Sequence, residues 1–196
     1  MLKKLKKNFL SIPSGFYLAI ILLYVVSFLV GYWLGIANKQ FAASQFEGFS
    51  SELAPIKNLS GLLILAFIFF NNAIKSLLAM LLGVFFGIFT VYFVLVNAVI
   101  LGVFVSFIGA QRGYDFVAAG LLPHGITETI ALIISSAYGI WLGVAFLRYL
   151  KFKEPLRPAY KKALRIYWKV ILPLLAISAV LEVYVTPIFI NMVAKR

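Results

Sequence analysis

The sequence is expected to fold as an all-α polytopic transmembrane bundle of about five spans, a single domain over residues 1–196, and three observations carry that expectation. Several runs are long and apolar enough to cross a bilayer, whose core is about 30 Å thick and takes roughly 20 helical residues. Hydrophobic residues make up 63% of the chain and charged residues 12%, against roughly 25% charged in soluble domains. A soluble fold of this size could not hide so much apolar surface. The positive charge falls between the runs, the pattern that orients membrane helices, whereas a nucleic-acid binder would spread it over an exposed domain. Nucleic acid is therefore not an expected partner. Cysteine is absent, which removes disulfide frameworks, thiol nucleophiles and cysteine metal sites together.

Residues 1–14 carry Lys3, Lys4, Lys6 and Lys7, and an uncharged stretch follows that is too long for a signal peptide's apolar region. A retained first span over Gly15–Ala37 is expected. Residues 38–60 form a polar excursion with room for a short interfacial helix. Between Asn58 and Arg112 the only charge is Lys75, and the stretch would make a straight helix roughly 80 Å long. It must fold back, and the turn is placed at Gly83–Gly87, between spans Ser60–Leu82 and Gly87–Gly109. Arg112, Gly113 and Asp115 make the next polar break.

The fourth apolar run, Phe116–Leu147, contains Leu122-Pro123-His124-Gly125. Proline and glycine together suggest a broken or re-entrant start near Pro123–Gly125, with Pro123 in a first helical turn and Thr127 and Glu128 at the positive end of the dipole. Residues 148–169 hold Arg148, Lys151, Lys153, Arg157, Lys161, Lys162, Arg165 and Lys169 against Glu154. That excess places this loop and the N-terminus in the cytoplasm of a multi-pass cell-membrane protein. A fifth span, Val170–Val193, then carries the C-terminus outside. Within the loop, Leu156, Tyr160, Leu164 and Tyr167-Trp168 recur at helical spacing, as in a basic interfacial helix near 156–168 lying on anionic headgroups. A rigid positive-inside connector has the same pattern.

Ionisable groups inside spans are costly and mark function. Here they are Lys75, His124, Glu128 and Glu182, with amides at Asn71, Asn72 and Asn97. Counted along their helices, these residues of four spans fall near one depth, the two glutamates on the order of 15 Å below the outer surface. A polar intramembrane centre is expected, either lining a path or holding helices together through a Lys–Glu pair and interhelical amide bonds of about 0.6 to 2 kcal/mol each. His124 and Glu128, four apart, share a helix face. Two ligands are too few for zinc, so neither a metal, a cofactor nor an intramembrane hydrolase is expected, and no catalytic residue is assigned. Three strips, Gly31 with Gly35, Gly83 with Gly87 and Gly139 with Gly143, allow close helix approach, within the chain or in a homo-oligomer.

Phe70-Asn71-Asn72, then Gly83 and Gly87, Asn97 with Gly102, Pro123-His124-Gly125-Ile126-Thr127-Glu128, and Gly139 with Leu142-Gly143 stand in an order that resembles the stage II sporulation protein M family, over about residues 45–190. The resemblance implies a multi-span helical protein. It also implies a link to the family's namesake, an integral membrane scaffold for cell-wall-degrading partners in engulfment. The sequence thus points first to a non-enzymatic membrane scaffold or assembly component with an envelope or membrane protein as partner. A small transporter or channel subunit, acting as an oligomer through the polar centre, is the alternative.

Overall fold

In hydrocarbon every backbone N–H and C=O must pair within the protein, so uninterrupted helices are the only way for these apolar runs to cross. The computed structural model describes residues 12–56 and 58–195, and contains no strand among them. The N-terminal lysines and Lys57 lie outside the described residues. Five helices are long and apolar enough to span: Ser14–Ala37, Gly61–Val84, Ile88–Arg112, Tyr114–Phe152 and Arg157–Ala194.

The first span is α1 (Ser14–Ala37). Asn38 stops it and caps the next helix, α2 (Lys39–Leu53), its side-chain oxygen accepting from the Phe41 N–H at 2.9 Å. This segment turns back along the third span, where Phe46 and Phe49 lie with ring centroids 5.1 to 6.1 Å from Phe104 and Phe107. The second span, α3 (Gly61–Leu81), ends in a 3-10 turn over Leu82–Val84. Phe86 and Gly87 then adopt positive φ of 55° and 76°, and α4 (Ile88–Arg112) begins. The fold-back falls at the expected glycines because Gly87 adopts this left-handed geometry without strain.

The expected break at Pro123–Gly125 is corrected: α5 runs unbroken over Tyr114–Phe152 with Pro123 inside it. A proline within a helix costs about 3 kcal/mol, whereas a re-entrant loop would leave several backbone groups unpaired, each costing several kcal/mol in lipid. The helix starts well before Pro123, and Asp115, not Glu128, is the acidic residue of its first turn.

The last span is also longer than expected. The basic helix α6 (Arg157–Ile166) merges into it through a π turn, Tyr167–Ile171, followed by α7 (Leu172–Val180), a second π turn, Leu181–Val185, and α8 (Thr186–Ala194). Pro173 and Pro187 each stand just after a π turn. A widened turn spares the proline ring its clash with the carbonyl four residues back.

Small residues line the helix crossings, while Tyr138, Met80, Leu142 and Ile171 fill the core between them. On α1, Ser27, Gly31 and Gly35 are buried while Leu18, Leu22, Val26, Leu29 and Trp33 are exposed to the lipid. All three glycine strips are used within the chain. A Cβ at Gly31 would strike the backbone of Val99, and one at Gly102 the backbone of Phe28 and Tyr32, locking α1 to α4. Gly83, Gly139 and Gly143 meet likewise, seating the α3–α4 turn on α5. Since Gly139 lies against Gly83, residues 144–152 run on past the turn by roughly 13 Å.

Substituting Gly139 by valine should lower the melting temperature in detergent sharply, as overpacking costs about 1–3 kcal/mol or more. Gly48, whose Cβ would meet nothing, is the matched control. Gly48→Ala should leave the melting temperature unchanged or raise it.

Candidate functional site

The polar residues of four spans do converge, as two neighbouring groups that share Glu128. In the first, one ligand atom each from His124, Glu128 and Glu182 lie within 4.8 Å of one another. His124 and Glu128 come from successive turns of α5. Glu182 comes from the second π turn of the last span, so the widened turn supplies the third member. In the second group, Asn72, Lys75, Asn97 and Glu128 line a cavity of about 40 Å³, closed by Ser76, Phe93, Leu132 and Leu175. That volume admits one to a few water molecules. Asn71 lines neither the cavity nor the cluster.

Lys75, Phe93 and Asn97 also line a larger groove of about 360 Å³ between the second and third spans. The remainder of its wall is mainly apolar, including Leu78, Leu82, Phe89 and Ile100. Lys75 and Asn97 are exposed, so they stand between this lateral groove and the inner cavity.

Of these side chains only His124 bonds across helices among the described residues, to Thr186 of the last span. Asn97 donates to the Phe93 carbonyl of its own helix at 2.7 Å. Lys75 lines the same small cavity as Glu128, and no direct ion pair joins them among the described residues. The carboxylates neighbour each other and the His124 imidazole, and Glu128 shares the small cavity with Asn72, Lys75 and Asn97. Further adhesion between helices comes from hydroxyls on backbone carbonyls. Thr90 Oγ1 donates to Ala79 O at 2.6 Å, Tyr167 Oη to Ala73 O at 2.9 Å and Ser178 Oγ to His124 O at 3.2 Å.

The imidazole is held by Thr186. Its Oγ1 lies 3.1 Å from His124 Nδ1 and donates its single proton to Leu181 O at 3.1 Å. A hydroxyl that has given up its proton can only accept. In that arrangement His124 carries its hydrogen on Nδ1 and keeps the Nε2 lone pair; with the hydrogen on Nε2 instead, the same hydroxyl would donate to Nδ1. Such support from a neighbouring oxygen fixes tautomer and ring orientation.

Ser178 and Thr186 are site residues that the sequence reading misses. Their signal is present, because Ser178, Glu182 and Thr186 recur every four residues, the spacing that puts His124 and Glu128 on one face. Single hydroxyls in an apolar helix are common enough that the spacing alone does not separate them.

A family model described as stage II sporulation protein M matches residues 20–187. An uncharacterized protein of Methanocaldococcus jannaschii is 28% identical over 176 residues, covering 90% of this chain and 76% of the relative. No solved structure matches.

The chain contains one histidine, so its imidazole can be read without overlap by ¹⁵N NMR. The Nδ1–H tautomer should dominate in the parent protein. Thr186→Val, which removes the acceptor while keeping the shape, should convert it to a mixture weighted toward Nε2–H.

Proposed function

The chain belongs to the stage II sporulation protein M family, and from that premise we propose that it is a small membrane transport protein whose polar intramembrane site passes a cation. The observation that carries this reading is the convergence of His124, Glu128 and Glu182 within 4.8 Å. Two carboxylates so close, in apolar surroundings, need a proton or a cation between them. Residues of this kind within spans line ion paths. For the two carboxylates packing offers less reason, since glycine contacts, hydroxyl–carbonyl bonds and the His124–Thr186 bond already join the helices.

In this reading the small cavity supplies water to Glu128, and Lys75 holds its charge against the carboxylate side of the site. Five spans leave little room for a path across a monomer, so a homo-oligomer is part of the proposal. The three glycine strips are occupied within the chain, and the oligomer must use other faces. The basic segment 148–169 is assigned to the cytoplasm, where it meets anionic headgroups, and residues 38–60 to the outside.

A scaffold or assembly role is the second reading. It is favoured by the length of α5 and α6, which run past the α3–α4 turn and expose Phe152, more than 60% accessible. That platform would suit a membrane or envelope partner.

Flux separates the two. In reconstituted liposomes Glu128→Gln and Glu182→Gln should each reduce cation flux at least tenfold while the melting temperature in detergent is kept. A scaffold would show no flux in the parent protein. Orientation is tested on the cysteine-free background by single replacements at exposed positions. In intact cells an impermeant thiol reagent should label Ser44→Cys and spare Lys153→Cys; the reverse pattern would overturn the assignment.

A further inference from the structure

We infer that His124, Glu128 and Glu182 form a binding site for one divalent transition-metal cation, an inference that rests on the transport reading for its role but not for its chemistry. The sequence alone supplies two ligands four residues apart on one helix. Folding supplies the third, because the Leu181–Val185 π turn brings Glu182 against them.

Donor type, charge and space agree. One imidazole nitrogen and two carboxylate oxygens make a three-ligand set of the kind that holds zinc while keeping a fourth position open. Imidazole favours zinc and its neighbours over magnesium, which prefers octahedral oxygen. The Nδ1 atom is engaged with Thr186, which leaves Nε2 as the ligand atom and supplies the outer hydrogen bond that metal-binding histidines use. The three ligands, two carboxylates and a neutral imidazole, carry two negative charges that a divalent ion neutralises directly, with Lys75 across the small cavity adding a positive charge on the Glu128 side. Neutrality matters because an uncompensated charge in an apolar interior is expensive.

Ligand atoms within 4.8 Å must draw together to about 3.3 Å for bonds of about 2.0–2.2 Å in a tetrahedral shell. Rotation about the flexible glutamate side chains covers that difference without moving a helix. The fourth position falls to water, for which the cavity lined by Glu128, Asn72 and Asn97 has room.

The test uses the full chain, purified without a polyhistidine tag and embedded in lipid nanodiscs. Zn²⁺ titrated by calorimetry should bind at one site per chain, and an equal concentration of Mg²⁺ should not compete. Glu182→Gln should weaken binding at least tenfold. In the parent protein the single imidazole's Nε2 ¹⁵N resonance should move on adding Zn²⁺, while the Nδ1–H signal persists. This readout needs no variant to fold.

An unmoved imidazole at saturating Zn²⁺ would overturn the site, as would full affinity in Glu182→Gln. Cation flux that persists without Zn²⁺ binding would sink the metal assignment and leave the transport reading standing. Zn²⁺ binding to the three residues in a protein that passes no cation would do the opposite, keeping the site and removing transport.

Discussion

Backbone-to-backbone contact at glycine is the interaction on which the remainder of the structure depends. Lipid tails are as apolar as leucine, so spans gain nothing from hiding large side chains from them. What they gain comes from close packing and from hydrogen bonds that lipid cannot provide. Gly31 against Val99 and Gly102 against Phe28 and Tyr32 fasten the first span to the third. Gly83 against Gly139, with Gly143 beside Gly87, fastens the α3–α4 turn to the fourth. With that frame set, the second span is held at Ala73 by Tyr167 of the last, and four spans surround one level of the bundle.

At that level the helices carry ladders with a four-residue step. His124 and Glu128 climb α5, while Ser178, Glu182 and Thr186 climb the last span and reach across. Proline is what brings Glu182 into place. Pro187 cannot donate to the carbonyl of Val183 and its ring would press on it, so the preceding turn widens to a π turn and carries Glu182 with it. Widened turns of this sort recur at functional sites because they re-aim a side chain without ending the helix. Pro123 behaves differently, remaining within a regular α-helix. The two cases show that proline in a span adjusts the ladder locally where lipid forbids a loop.

Much of this is legible from the residues. Span number follows from length and hydropathy, the fold-back from Gly83 and Gly87, and the polar centre from counting depth along each helix. The inner faces are not legible, because hydropathy inverts its meaning here. Trp33 and Tyr92 are more than 60% exposed while Ser27, Ser135 and Ser136 are buried. A reading that looks for large apolar residues in the core therefore finds the lipid surface. For the same reason Ser178 and Thr186 pass as ordinary span residues. Helix ends escape such a reading where the chain runs on into water, since Arg157–Ile166 keeps its helix while losing its hydropathy.

Separation of tasks is the remaining step. If the ionisable trio were the adhesive of the bundle, each carboxylate would be expected to hold a donor on a neighbouring helix, as Tyr167 and Thr90 hold their carbonyls. Glu128 and Glu182 lie near each other and an imidazole instead, and Glu128 shares a small cavity with Asn72, Lys75 and Asn97. Removing one member of a satisfied pair strands the other and destabilises the protein. Where both are ionised, removing Glu182 would instead take a like charge from beside Glu128. The glycine and hydroxyl contacts, together with the His124–Thr186 bond, therefore join the helices around the two carboxylates.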